Sequence, residues 1–187
     1  MSYQYNSNSL LSQLLNTPRR KIFVSYHHDG DQLYYDSFTQ TFAGGYDVIY
    51  DNSLDRIIDS NNVDYVLRRI RENYINGSSC TIVLCGSETP WRKYVDWEIK
   101  ATLDAEHGLI GVNLPSNPQG MSGKFTVPDR LHDNIHSGYA VWTNWASITQ
   151  GTDSLRSTIE LAVSKSTRLI DNSRVMMSRN GTSPMYR

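Results

Sequence analysis

Glu98 is the residue of this chain whose chemistry is most readily argued. It lies in the run Thr89-Pro90-Trp91-Arg92-Lys93-Tyr94-Val95-Asp96-Trp97-Glu98-Ile99-Lys100. Thr89 reads as a helix N-cap and Pro90 as the first helical position. At roughly 100° per residue, Trp91, Tyr94, Val95, Glu98, Thr102 and Ala105 share one face. Lys93, Asp96, Lys100 and Asp104 fall on the other. A carboxylate aimed at apolar and aromatic neighbours costs stability unless it is satisfied or used. The plain alternatives are pairing with a buried arginine or an edge position that reaches solvent.

Other groups are weaker candidates. His27 and His28 follow a strand-like run, and adjacent side chains diverge, so at most one need face a cleft; the alternative is a solvated loop. Asp51 and Ser53 stand where a second strand ends, a place where Asp and Ser also serve turns. His132 and His136 have the four-residue spacing of a helical metal pair, but no third ligand is evident. They read as two surface histidines.

These residues need elements to hold them. Ile22-Phe23-Val24-Ser25-Tyr26 is a buried-strand type of run, and 31–43 looks helical, with Tyr34, Phe38 and Phe42 four apart and Gly44-Gly45 closing it. Tyr46–Tyr50 is a second strand. Asn61-Asn62 caps a helix containing Val63, Val66, Leu67 and Ile70, and Asn76-Gly77-Ser78 breaks it. Strand 79–85, the Glu98 helix to about 107 and strand 109–113 follow. Residues 114–137 read as a long loop, 138–142 as an edge-like strand, and Asp153 caps a final helix through about Ile170. Residues 1–19 form a polar arm in which Ser9–Leu15 could make a short helix; 20–171 is the domain; 172–187 is a polar tail expected to be disordered. Alternating strands and helices with wholly apolar early strands imply a parallel sheet covered on both faces. Ligands then bind beyond the carboxyl ends of the strands, where 25–31, 51–56 and 86–98 should converge.

Composition excludes several classes. The 187 residues carry a net charge of −1, with 18 basic and 19 acidic groups, so no electrostatic footprint for nucleic acid or an anionic membrane is present. No segment is apolar enough to span a membrane and no signal peptide is visible. Cys80 and Cys85 are five apart on one strand and point to opposite faces, which fits unpaired thiols in a reducing cytoplasm. Neither G-x-x-x-x-G-K-[ST] nor G-x-G-x-x-G occurs, and the strand ends lack a phospho-receiver's acidic residues. The 12 Tyr and 4 Trp are enough for both a core and an aromatic pocket.

Four segments, in order, resemble TIR domains. Ile22–Tyr26 looks like their first strand, Tyr50-Asp51-Asn52-Ser53-Leu54 like the second strand entering the BB loop, and Thr81–Ser87 like the third strand and its serine. Tyr94-Val95-Asp96-Trp97-Glu98-Ile99 is similar to the W-[VC]-x-x-E-[IL] motif holding the catalytic glutamate of NAD-cleaving members, with Tyr94 where Trp is usual. The resemblance spans about residues 20–145 and is nearest the bacterial branch that includes the TIR protein of Thoeris anti-phage defence. It implies a flavodoxin-like three-layer α/β sandwich with a mostly parallel five-stranded sheet. It implies an enzyme that breaks the nicotinamide–ribose bond of NAD with Glu98 as catalytic carboxylate and Tyr26, His27, Asp51, Ser53 and Tyr94 around the substrate. NAD is then substrate, with no cofactor and no metal. A cyclic ADP-ribose-type signal would activate a separate effector protein, a phage component would be the trigger, and a homo-oligomer could form. Two alternatives stand beside it: a non-catalytic TIR-type interaction module, and an enzyme like nucleoside deoxyribosyltransferases.

Overall fold

The computed structural model describes residues 20–42, 44, 47–49, 63–120 and 122–182. The expected N-terminal helix, Asp51 and Ser53 lie outside them. Five parallel strands form one sheet: β1 (Lys21–Ser25), β2 (Asp47–Ile49), β3 (Cys80–Cys85), β4 (Gly108–Asn113) and β5 (Val141–Asn144), in the order β2-β1-β3-β4-β5. The helices are α1 (His28–Phe42), α2 (Val63–Ile70, closing in a wider π-type turn Arg71–Ile75), α3 (Lys93–Asp104), α4 (Asp129–His136), α5 (Trp145–Ile148) and α6 (Thr152–Val163).

Strand alternation decides what each face packs against. Ile22 and Val24 of β1, Cys80, Ile82 and Leu84 of β3, and Ile110 and Val112 of β4 meet Tyr35, Phe38 and Phe42 of α1, Ile148 of α5, and Leu155 and Ile159 of α6. Phe23 points the other way, into Val66, Leu67 and Ile70 of α2 and Trp97 and Ala101 of α3. Val83 and Cys85 pack with Val95, Ile99 and Leu103 of α3 and Leu131 of α4. Helices thus cover both faces, the flavodoxin-like three-layer arrangement. Cys80 and Cys85 lie in clusters on opposite faces and are unpaired.

Several boundaries differ from the sequence reading for local reasons. Helix α1 begins three residues early because His27 serves as its cap, its Nδ1 accepting from Gly30 N at 3.1 Å, with Asp29 and Asp31 in the first turn. Thr89 does not cap α3. Its hydroxyl accepts from Gly86 N and donates to Asp31, so Thr89–Trp91 is a 3₁₀ turn and α3 starts at Lys93. The long loop contains α4, anchored by the wholly buried Arg130. The fifth strand begins three residues later than expected, α5 was not anticipated, and α6 stops at Val163.

The segment expected to be a disordered tail is, through residue 182, laid along α3 and α4. Asn134 and Asp171 exchange two hydrogen bonds, Arg174 forks onto Asp133, Trp97 Nε1 donates to the Met177 carbonyl, and Gly181 N donates to the Trp91 carbonyl. Its polar residues spend their hydrogen bonds on two helices, which composition alone does not reveal.

Candidate functional site

Strand order reverses between β1 and β3, so the connections leaving them part at their carboxyl ends, where sheets of this kind carry their ligand crevice. Ser25, the last residue of β1, and Gly86, the first after β3, stand at that switch point. Ser25 faces the same side as Phe23, toward α3. Its Oγ donates to Glu98 Oε2 at 2.5 Å.

Glu98 is 3 % exposed. The face of α3 that carries it is polar at two successive turns. Thr102 Oγ1 bonds the Glu98 carbonyl and lies 2.7 Å from Thr81 Oγ1 of β3. The helix is therefore pinned to the sheet by Ser25–Glu98 above and Thr81–Thr102 below. Tyr94, one turn before Glu98, is half-buried, its ring edge-on to Trp97 at 5.4 Å and overlain by Lys93 Nζ at 4.8 Å. Trp97 is buried and committed to Met177.

On the α1 side of the crevice the sequence reading overlooked a second carboxylate. Asp31 is 2 % exposed and accepts from Thr89 Oγ1 at 2.7 Å and Ser116 Oγ at 3.2 Å. Burial pushes its carboxyl above the usual range, against those donors. Residue 86 must be glycine here, because a Cβ would overlap the Asp31 carboxylate. A glycine directly after an apolar strand was the available signal. Arg92 was missed too: its Nη2 meets Glu88 at 3.0 Å while its buried Nε has no hydrogen-bond partner among the described residues.

Two expected pocket residues have other work. Tyr26 points to the opposite sheet face from Ser25, stacks on Tyr35 at 4.4 Å and donates to Gln32 Oε1. It is a core residue, packed in the cluster that contains Tyr35 and Phe38. Of the two histidines, His27 turns inward as the α1 cap. Burial, helped by nearby Arg92, lowers its pKa to about 4, so the ring is neutral at physiological pH with its proton on Nε2. Asp96, expected on the solvent side of α3, is buried against Arg130 at 2.9 Å, whereas Ala105, expected inside, is exposed. His132 and His136 are exposed on α4. No helix among the described residues is long and apolar enough to cross a membrane.

The site thus gathers Ser25, Tyr94 and Glu98 on one side of the switch point, and His27, Asp31, Thr89 and Arg92 around the loops beside it. No individually curated protein matches the sequence closely enough to count as a relative. The profile of one family, described as Thoeris protein ThsB, TIR-like domain, matches residues 23–119, which run from β1 through α3 and β4 and cover just over half of the chain. A match of that extent, over the segment that builds the crevice, makes this chain a member of the Thoeris ThsB family with a TIR-like domain.

Proposed function

We propose that this protein cleaves the nicotinamide–ribose bond of NAD, with Glu98 as the catalytic carboxylate. The observation that carries the reading is the placement of Glu98: buried, at the switch point, and oriented by a 2.5 Å hydrogen bond from Ser25. Glycosidases generally need two carboxylates, one of them to protonate a leaving oxygen. Nicotinamide in NAD is already cationic and departs neutral, so no general acid is needed. What remains is positive charge developing on the ribose. One preorganised carboxylate in a low-dielectric site stabilises it, or holds the ribose hydroxyls.

Tyr94 is the aromatic group best placed to meet a flat ring, being half-exposed one turn from Glu98. Asp51 and Ser53, which lie outside the described residues, stay in the proposal as substrate-binding candidates. A cyclic ADP-ribose-type product, made in the cytoplasm on phage infection and read by a separate effector protein, completes the proposal within the Thoeris setting. A second reading draws on the same burial: a non-catalytic interaction module would also keep Glu98 from solvent, as the mate of Ser25.

Incubating the purified protein with NAD and, separately, with deoxynucleosides distinguishes the readings, with cells under phage challenge as the triggered condition. Nicotinamide release that is lost in Glu98→Gln supports the proposal. Base exchange on deoxynucleosides instead of NAD, or no nicotinamide release even in challenged cells, sinks it.

A further inference from the structure

The helix that carries Glu98 lacks a cap of its own. Its N-cap residue, Arg92, makes no side-chain capping bond, and the first N–H groups of a helix need acceptors from elsewhere. Lys93 N finds one on Asn180, whose Oδ1 accepts at 3.0 Å across 87 residues of sequence. Asn180 belongs to a strap, residues 171–182, that runs antiparallel to α3. It begins at the helix's C-terminal end, where Asn172 Nδ2 meets Asp104 Oδ1 at 2.8 Å. At the middle, Met177 N donates to Asp96 Oδ2 at 2.9 Å and Trp97 Nε1 donates to Met177 O at 2.8 Å. At the start, Asn180 caps Lys93 and Gly181 N donates to Trp91 O at 2.8 Å. Asp96 and Trp97, the two residues immediately before Glu98, are thus both tied to the same strap residue. Met176 adds an apolar contact to the cluster containing Trp97.

We infer that this strap is a positioning element for the candidate catalytic carboxylate, with Asn180 as its key residue; the catalytic half of the inference rests on the function proposed above. Glu98 meets Ser25 at 2.5 Å only if α3 keeps its rotation and axial position over β1. The sheet fixes that helix from below through Thr81 and Thr102. The strap fixes it from the opposite side and supplies the acceptor that stops its first turn from fraying. The strap and α4 both lie beyond residues 23–119, which the family profile matches.

Full-length Asn180→Ala and Asn180→Asp test the inference. Aspartate keeps an acceptor at the cap and alanine does not. Hydrogen exchange of the Trp97, Glu98 and Ile99 amides should quicken roughly five- to tenfold in the alanine variant while α6 is unchanged, and return close to wild type with aspartate. Nicotinamide release, assayed well below the melting temperature, should show kcat reduced about three- to tenfold in the alanine variant with KM within about twofold, because the strap touches the helix and not the substrate. Unchanged exchange in α3, equal impairment by aspartate and alanine, or a lowered melting temperature with kcat intact would each overturn the positioning role. If the wild-type protein releases no nicotinamide even in challenged cells, the function proposal fails on that arm, while the exchange arm still decides whether the strap holds α3.

Discussion

Burial, more than distance, should set the worth of the ion pairs here, and two of them make a controlled comparison. Arg130 Nε and Asp96 Oδ1 lie 2.9 Å apart with side chains 0 % and 6 % exposed. Arg20 and Glu160 are closer, at 2.7 Å, but 37 % and 53 % exposed. Asp96 also accepts from Arg130 Nη2 and Met177 N, whereas Arg130 has, among the described residues, only Asn172 Oδ1 as a further side-chain partner outside the pair. Asp96→Ala therefore strands a guanidinium that water cannot reach. Removing one member of a buried pair costs about 3–5 kcal/mol, and an exposed pair is worth about 0–1 kcal/mol. At roughly 2–4 °C per kcal/mol for a chain of this size, Asp96→Ala should lower Tm by about 10 °C, and Glu160→Ala by about 4 °C at most. Urea unfolding and calorimetry read both. The double variant Asp96→Ala/Arg130→Leu should recover part of the loss, since no charge is then left buried. A cost below about 1 kcal/mol for Asp96→Ala, or additive single effects, would refute the reasoning.

Three further outcomes follow from single contacts. Gly86→Ala sets a methyl against the Asp31 carboxylate and should cost about 1–3 kcal/mol by urea unfolding. His27 has a folded pKa of about 4 against an ordinary 6.5, so the folded state disfavours its charged form. Its contribution is present at neutral pH and is lost as pH falls from about 6.5 to about 4; stability measured at pH 7 and pH 4.5 should differ less in His27→Gln than in wild type. Burial raises both thiols, so Cys80 and Cys85 should resist alkylation in the native protein and react only on unfolding, as mass spectrometry would show.

The layers of this fold were legible because each rests on a period. The two-residue alternation of Ile22, Phe23 and Val24 and the apolar spacing of α1 survive any detail of tertiary structure. What escaped the sequence was decided by partners far along the chain. Asp96 looked solvent-facing because helix phase cannot anticipate Arg130, buried inside what read as a loop, or the Met177 amide. Thr89 looked like a cap because its type suits one, but Asp31 claimed the hydroxyl. The polar composition of 172–182 argued for disorder, yet those side chains satisfy α3 and α4. Within the site, helix phase turned Glu98 inward and the motif around it carried the catalytic reading, and its contact with Ser25 follows from the strand period once α3 is known to cover that face. The same period, applied to Tyr26, would have turned that ring away from Glu98.

The most direct test of the account is nicotinamide release from NAD by wild-type protein and Glu98→Gln, whose amide keeps the size of the side chain and an acceptor for Ser25. Loss of one preorganised charge from such a site typically costs about 10²–10³-fold in kcat. The account predicts a fall of at least that size, with Tm close to wild type. Glu98→Gln releasing nicotinamide at the wild-type rate would contradict it.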